Sequence, residues 1–228
     1  MAKKKTEKYE LTDALIALLL TQLRKEINRL DLLGFDELSA PRITTLTIAM
    51  LERLLKDNRK AYIEIAKKAS EEAAEDVKNT SGIAVKPLKT DEKYVEGILG
   101  EYNPVTGYLY YPEADRKRAR LSEALIAAVL FGLRADYHRE LRKFANLWNT
   151  QTRQYAITVI DTTRIETFRK NGIRRVRWET QHDERVCAEC NERDGKIYDI
   201  DKLPEKHYGC RCWYMPVLEK KKGNNGES

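Results

Sequence analysis

The sequence lacks long apolar runs and has no strong excess of charge of either sign. No run approaches the roughly 20 apolar residues that a membrane-spanning helix needs, and residues 3–7 do not lead into a signal-peptide core. We therefore expect neither membrane insertion nor export by that route. The 42 Lys and Arg against 36 Asp and Glu give a formal charge of +6, a mild basic excess that is compatible with nucleic acid but not diagnostic of it.

Sequence patterns typical of common enzyme sites are also missing. The chain has no Gly-rich phosphate loop and no Ser-His-Asp or Cys-His arrangement in a supporting context. Cysteine and histidine are scarce, with four and three residues respectively, and all four cysteines lie between positions 187 and 212. We expect a protein without catalytic activity whose chemistry is concentrated in that short segment.

Apolar residues recur at helical spacing through most of residues 1–172. The pattern predicts helices over residues 11–33, 41–79, 114–146 and 149–170. Residues 83–113 are the least regular part, where a turn at 103–107 between tyrosines predicts a short hairpin. We interpret residues 1–172 as a helical region that binds a partner protein.

After Gly172 the pattern changes to short alternating segments joined by polar turns. Residues 173–178, 196–198 and 212–217 are predicted strands, and Trp178 and Trp213 are predicted core residues. The sequence thus predicts a mainly α chain, an elongated helical bundle with a small C-terminal β-rich zinc-binding module over residues 173–218. Residues 219–228 are predicted to be a disordered tail.

The cysteines and one histidine follow the order Cys187-x2-Cys190-x16-His207-x2-Cys210-x-Cys212. A module this small cannot bury enough apolar surface to fold alone, and structural zinc contributes roughly 10–16 kcal/mol in small peptides. Two short-spaced pairs can each approach one edge of a tetrahedral ion. We predict a structural Zn²⁺ with Cys187, Cys190, His207 and either Cys210 or Cys212 as ligands, Cys210 being favoured because His-x2-Cys matches the first pair.

Two alternatives to zinc are a disulfide pair and a redox-active Cys-x2-Cys. Disulfides require an oxidising compartment that nothing else in the sequence indicates. A redox dithiol normally lies where a strand leads into a helix N-terminus, whereas residues 191–195 are predicted to form a turn. Both alternatives are therefore less favoured than a metal site.

Positive charge is concentrated just before and within the start of the module. The residues are Arg164, Arg169, Lys170, Arg174, Arg175 and Arg177. One interpretation is a stripe that binds the phosphates of double-stranded DNA, and the other is a solvated surface.

Aromatic residues and one histidine suggest further roles. Tyr102, Tyr108, Tyr110 and Tyr111 could stack on bases or anchor a partner, but such clusters more often pack a hairpin onto helices. The adjacent His182 and Asp183 could activate water for phosphodiester cleavage, which makes a zinc-stapled nuclease the alternative function. Asp183 can equally cap the turn that leads to Cys187.

The residues around the cysteines resemble the C-terminal signature of phage head morphogenesis proteins, the minor head proteins typified by the F protein of phage Mu. The resemblance is carried by residues 178–190, 194–198 and 203–212, and residues 162–166 are similar to the Thr/Arg/Glu segment that precedes the module in that family. Tyr208 stands where the family commonly has proline, a difference that removes no ligand.

The resemblance implies a minor component of the procapsid interior of a tailed phage or prophage, assembled in the host cytoplasm. It implies recruitment through the portal protein. We expect capsid or scaffold proteins and double-stranded DNA as further partners. It also implies a role in head assembly and in DNA packaging or delivery.

A host-side DNA-binding zinc protein is the third hypothesis, beside the nuclease.

Overall fold

The computed structural model describes residues 7–218, with side chains described from residue 14 onward. The helices are α1 (Glu7–Asp31), α2 (Ala40–Ser81), α3 (Glu92–Gly100), α4 (Tyr110–Leu130), α5 (Arg134–Lys170) and α6 (Ala188–Arg193). The strands are β1 (Arg175–Glu179), β2 (Ile197–Asp199) and β3 (Trp213–Val217). The prediction of a mainly α chain with a small C-terminal sheet is confirmed, while the predicted disordered tail lies outside the described residues.

The chain divides into two compact units. The first takes in the residues up to Ala66 together with Thr90–Ile160, and the second takes in Lys67–Lys89 and the residues from Asp161 onward. The sequence-based division at residue 172 had placed the ends of α2 and α5 with the helical region. In the structure these helix ends belong to the second unit, because Ala73, Val77 and Phe168 pack in the core of the β-rich module.

Amphipathic helices form the core of the first unit. Buried side chains from four helices meet there, including Leu23 of α1, Leu54 of α2, Leu125 of α4 and Phe144 of α5. Among residues 7–218, no helix combines the length and the apolar character that a membrane span requires.

The break between α4 and α5 differs from the prediction. Gly132 adopts φ 67°, and Leu133 N–H donates to the Ala128 carbonyl at 2.7 Å while Gly132 N–H donates to the Val129 carbonyl. This is a glycine-centred Schellman cap, which ends α4 at Leu130. The prediction of one helix over 114–146 was wrong because it treated Gly132 as a core position of a continuous helix, and α5 instead runs unbroken from Arg134 to Lys170.

Residues 83–113, predicted as irregular with a hairpin, contain both a helix and a turn. Asp91 caps α3 by accepting a hydrogen bond from Tyr94 N–H at 3.1 Å, and Val95 and Leu99 bury one face of this helix. A single antiparallel bridge joins Asn103 to Tyr108 around the predicted turn. The Asn103 amide also donates to Thr158 Oγ1 of α5 at 2.8 Å, so the turn is fixed to the helical core.

A three-stranded antiparallel sheet with strand order β2-β1-β3 forms the centre of the second unit. Strand alternation places Val176 and Trp178 of β1 on the buried face, where Tyr214 of β3 lies opposite Trp178. Trp178 and Trp213 are both buried, as predicted. At the outer edge of β3, Pro216 has no N–H to offer to another strand, which protects this edge from further pairing.

Arg164 of α5 connects three elements of the second unit. Its Nη2 donates to Asp76 Oδ2 of α2 at 2.6 Å and to the Tyr214 carbonyl of β3 at 3.1 Å. Arg164 and Asp76 are both almost fully buried. The pair therefore holds the C-terminal parts of α2 and α5 against the sheet.

We expect Arg164→Leu to destabilise the chain by about 3–5 kcal/mol, because it removes the guanidinium that donates to the buried Asp76 carboxylate. Arg169→Ala is the matched control, since the pair that Arg169 makes with Asp201 is exposed on both sides and contributes less than about 1 kcal/mol. Urea denaturation followed by circular dichroism measures both free energies of unfolding. Similar losses in the two variants would contradict the role assigned to Arg164.

Candidate metal centre

The four cysteines and His207 lie on two segments of the second unit. Cys187 is the N-cap residue of α6 and accepts a hydrogen bond from Cys190 N–H, which places both thiols at the start of this short helix. His207, Cys210 and Cys212 lie on the loop that leads from β2 into β3. The fold thereby brings a Cys-x2-Cys pair against a His-x2-Cys pair.

Cys190 is the centre of this cluster. Its Sγ lies 3.2 Å from His207 Nε2 and 3.6 Å from Cys210 Sγ, and Cys187 Sγ lies 3.3 Å from the same histidine nitrogen. Around a tetrahedral zinc ion with Zn–S of about 2.3 Å and Zn–N of about 2.0 Å, two sulfurs are about 3.8 Å apart and a sulfur and a nitrogen about 3.5 Å apart. The observed separations fit donors that share one ion.

The orientation of His207 suits this role. Its Nδ1 lies 2.9 Å from the Tyr208 carbonyl oxygen, which can only accept a hydrogen bond. The proton therefore belongs on Nδ1, and the Nε2 lone pair faces the two thiols. Such a hydrogen bond on the second ring nitrogen is what usually fixes the tautomer of a metal-binding histidine.

The electrostatic environment favours thiolates at two of the cysteines. The Cys190 N–H lowers the pKa of the Cys187 thiol, and the hydrogen bond with Cys212 lowers the pKa of the Cys210 thiol. The thiolate is the form that binds metal. Both thiols are therefore deprotonated more readily to the form that binds a cation.

Two overlapping groups of donors meet at Cys190. One consists of Cys187, Cys190 and His207, and the other of Cys190, Cys210 and Cys212, with the donor atoms of each group within 4.8 Å of one another. Cys210 makes the close sulfur contact with Cys190, while the hydrogen bond with Cys210 raises the pKa of the Cys212 thiol. The 3.6 Å sulfur contact supports Cys210 as the fourth ligand, while Cys212 belongs to the same donor group.

The local structure around Cys187 corrects one step of the argument against redox chemistry. Residues 191–195 were predicted as a turn, but α6 continues to Arg193 and the Cys-x2-Cys does lie at a helix N-terminus. A helix start by itself is therefore compatible with a redox dithiol. A metal is favoured because His207 and Cys210 converge on Cys190. All four cysteines are free thiols.

The six predicted DNA-binding cations do not form one stripe. Arg164 is buried within the unit and faces Asp76 and Tyr214, so it is not presented to a phosphate. Arg169 pairs with Asp201 at the surface. The other four are exposed, and one of them, Arg177, also pairs with Glu179: Lys170, Arg174, Arg175 and Arg177.

The side chains of the adjacent His182 and Asp183 have different partners. Arg211 Nη2 donates to Asp183 Oδ1 at 2.6 Å, and this hydrogen bond lowers the pKa of the Asp183 carboxyl. The carboxylate nearest to the His182 ring is instead that of Asp194, at 3.6 Å. The proposed activation of water by a His182–Asp183 pair therefore has no geometric support.

Lys206 is a residue that sequence reasoning missed. Its Nζ donates to both Asp161 carboxylate oxygens at 2.8 and 2.7 Å and to the Cys212 carbonyl at 2.5 Å, and its side chain is nearly buried. It thus ties the ligand-bearing loop to α5. One lysine among many in a basic chain carries no signal that could have revealed this contact.

Part of the chain matches the model of a known protein family. Residues 120–215 match the model of a family described as Phage Mu protein F like protein. The matched region includes the four cysteines, His207 and Arg164, and it leaves residues 1–119 outside. Comparisons with curated proteins and with solved structures gave no match.

We expect the purified chain to carry about one zinc ion, and Cys210→Ser to lose most of it while Cys212→Ser retains it. The reason is the 3.6 Å contact between Cys210 Sγ and Cys190 Sγ. Elemental analysis of protein purified without chelators measures the stoichiometry. A wild-type chain without zinc would contradict the metal site, and retention by Cys210→Ser with loss by Cys212→Ser would reverse the ligand assignment.

Proposed function

Because residues 120–215 belong to the Phage Mu protein F-like family, we propose that this chain is a minor head protein of a tailed phage or prophage, acting in head morphogenesis. The observation that carries the proposal is that the matched region includes the Cys/His cluster and the buried arginine of the same unit. We place its action in the interior of the procapsid, where it assists assembly and DNA packaging or delivery.

In this role the C-terminal module is a structural element and not an active site. Cys187, Cys190, His207 and Cys210 would hold a zinc ion that replaces a larger apolar core. A structural ion needs four protein ligands and no open position, and the donors here offer that number. The proposal is therefore for a non-enzymatic assembly protein.

The portal protein is the partner we propose for the first unit. Support comes from the α4–α5 turn, where Leu130 and Phe131 are 72% and 75% exposed. Leu32 is exposed at the neighbouring end of α1, and the two ends are joined by the hydrogen bond from the Tyr137 hydroxyl to the Leu30 carbonyl. Clustered apolar side chains that remain exposed commonly mark a protein-binding surface.

We expect the tagged full-length chain to co-purify the portal protein of the same phage, and the double variant Leu130→Ser/Phe131→Ser to reduce the recovered portal by about tenfold or more. Leu147→Ser is the control, since Leu147 is also exposed but lies in the middle of α5. Quantitative immunoblotting of the eluates measures recovery.

Two results would count differently against this proposal. If the double variant still captures the portal, the contact lies elsewhere on the chain. If the wild-type chain captures no portal, or if infectious heads assemble efficiently after deletion of the gene, the assigned function is wrong.

Double-stranded DNA is a second partner that we propose, through the exposed cations of the second unit. Arg175 and Arg177 project from the same face of β1, because strand residues two apart share a face. Arg174 lies next to them and is also exposed. Contacts of this kind go to phosphates and carry no base specificity.

We expect Arg174→Ala/Arg175→Ala/Arg177→Ala to weaken duplex binding and to reduce the slope of log K against log salt by about 2–3, close to one for each lost phosphate contact. The control removes the same charge from exposed positions of α5 in the first unit: Arg139→Ala/Arg142→Ala/Lys143→Ala. Fluorescence anisotropy over a salt series measures both. Wild-type binding that does not weaken with salt, or equal effects of the two triple variants, would contradict this site.

A further inference from the structure

A second group of metal-binding side chains lies in the module, and it shares no residue with the cysteine cluster. Glu179, His182 and Asp194 each offer a donor atom, and these atoms lie within 4.8 Å of one another. From this arrangement we propose that the chain binds a divalent first-row transition metal at these three residues, in addition to the ion held by the cysteines. The inference goes beyond the head-assembly function and does not depend on it.

The fold holds two of the three residues in place. Glu179 is the last residue of β1, and Asp194 follows α6 directly. Asp194 Oδ1 accepts a hydrogen bond from Thr180 N–H at 2.8 Å, and the next residue, Gly195, donates its N–H to the Trp178 carbonyl at 2.8 Å. The two carboxylates are therefore brought together by the same backbone contacts that start the β1–β2 pairing.

The negative charges of Glu179 and Asp194 favour a bound cation. Glu179 is buried, and two carboxylates within 4.8 Å of each other repel unless positive charge lies between or beside them. Arg177 Nε donates to Glu179 Oε1 at 2.5 Å, which offsets one of the two negative charges. A divalent ion held between Glu179 and Asp194 would add positive charge beside both carboxylates.

His182 supplies the third donor and access from solvent. Its ring is about half exposed, and Nδ1 lies 3.6 Å from Asp194 Oδ2 and 3.4 Å from Thr180 Oγ1. An ion can therefore reach the site from water and keep water molecules in its remaining coordination positions.

The donor set identifies the class of metal. One imidazole with two carboxylates suits ions such as Mn²⁺, Co²⁺, Ni²⁺ or Zn²⁺, whereas Ca²⁺ and Mg²⁺ are usually bound by oxygen alone. Mn²⁺ discriminates best between the two sites of this chain, since it prefers carboxylate and imidazole to the thiolates of the cysteine cluster.

The experiment is a titration of the zinc-loaded full-length chain with Mn²⁺, in which the free ion is followed by electron paramagnetic resonance. We expect saturable binding of about one Mn²⁺ per chain. His182→Gly should weaken it by more than about tenfold, since loss of a residue that only orients a ligand already costs roughly 10- to 100-fold. Glycine is chosen because residue 182 has φ 54°, a conformation that glycine adopts without strain, so the variant should fold normally.

Two control variants and one second ligand variant complete the design. Asp183→Asn removes the neighbouring carboxylate that faces Arg211, and His138→Ala removes the other histidine that contacts an aspartate, Asp31. Both should bind Mn²⁺ within about twofold of the wild type. Glu179→Gln should weaken binding as His182→Gly does, and the zinc content of every variant should stay unchanged.

The inference is overturned if the wild type shows no saturable Mn²⁺ binding, or if His182→Gly and Glu179→Gln bind as the wild type does. It is also overturned if Mn²⁺ binding is lost in Cys190→Ser while His182→Gly keeps it, because the ion would then occupy the cysteine cluster. Neither result bears on portal binding, which is measured separately.

Discussion

The buried guanidinium of Arg164 is the contact on which the second unit depends. A charge taken out of water is tolerated only where partners surround it, and here Asp76 of α2 and the Tyr214 carbonyl of β3 supply them. The same contact covers part of the outer edge of β3. A sheet of three short strands, which is marginal alone, is in this way held against the ends of two long helices.

The cysteine cluster is a second set of contacts in the same unit. Cys190, Cys210 and Cys212 are buried among the apolar residues of the module and pack with Val176, Trp178 and Tyr214. Lys206 adds a third connection, since it joins the loop before β3 to Asp161 of α5. A module with little apolar surface thus relies on a few strong polar contacts at defined points, and a metal ion fits that pattern.

These contacts also separate the basic residues by role. Arg164 and Lys206 are directed inward and connect elements, whereas Arg174, Arg175 and Arg177 are exposed. The formal charge of the chain therefore overstates what is offered to a nucleic acid. Position in the fold, and not residue type, decides which cation is available to a phosphate.

The sequence by itself determined the helical character of the chain, the place of the small sheet and the residues that meet in the Cys/His cluster. These follow from local rules: apolar spacing, strand alternation and ligand spacing each act over a few residues. Gly172, after which the sequence pattern changes, ends α5 in a left-handed conformation with φ 77°. Gly132 forms the same kind of cap but was read as a helix interior, because apolar spacing continues across it.

Only the tertiary structure decided which residues distant in sequence face one another. The ends of α2 and α5 belong to the β-rich unit. Arg164 is buried against Asp76, and Arg211 donates to Asp183. The His182 ring lies beside the Asp194 carboxylate. The contact between Cys190 and Cys210 likewise joins two segments that lie apart in the sequence. Side-chain pairing across such separations depends on how whole elements pack, and no periodicity in the chain records it.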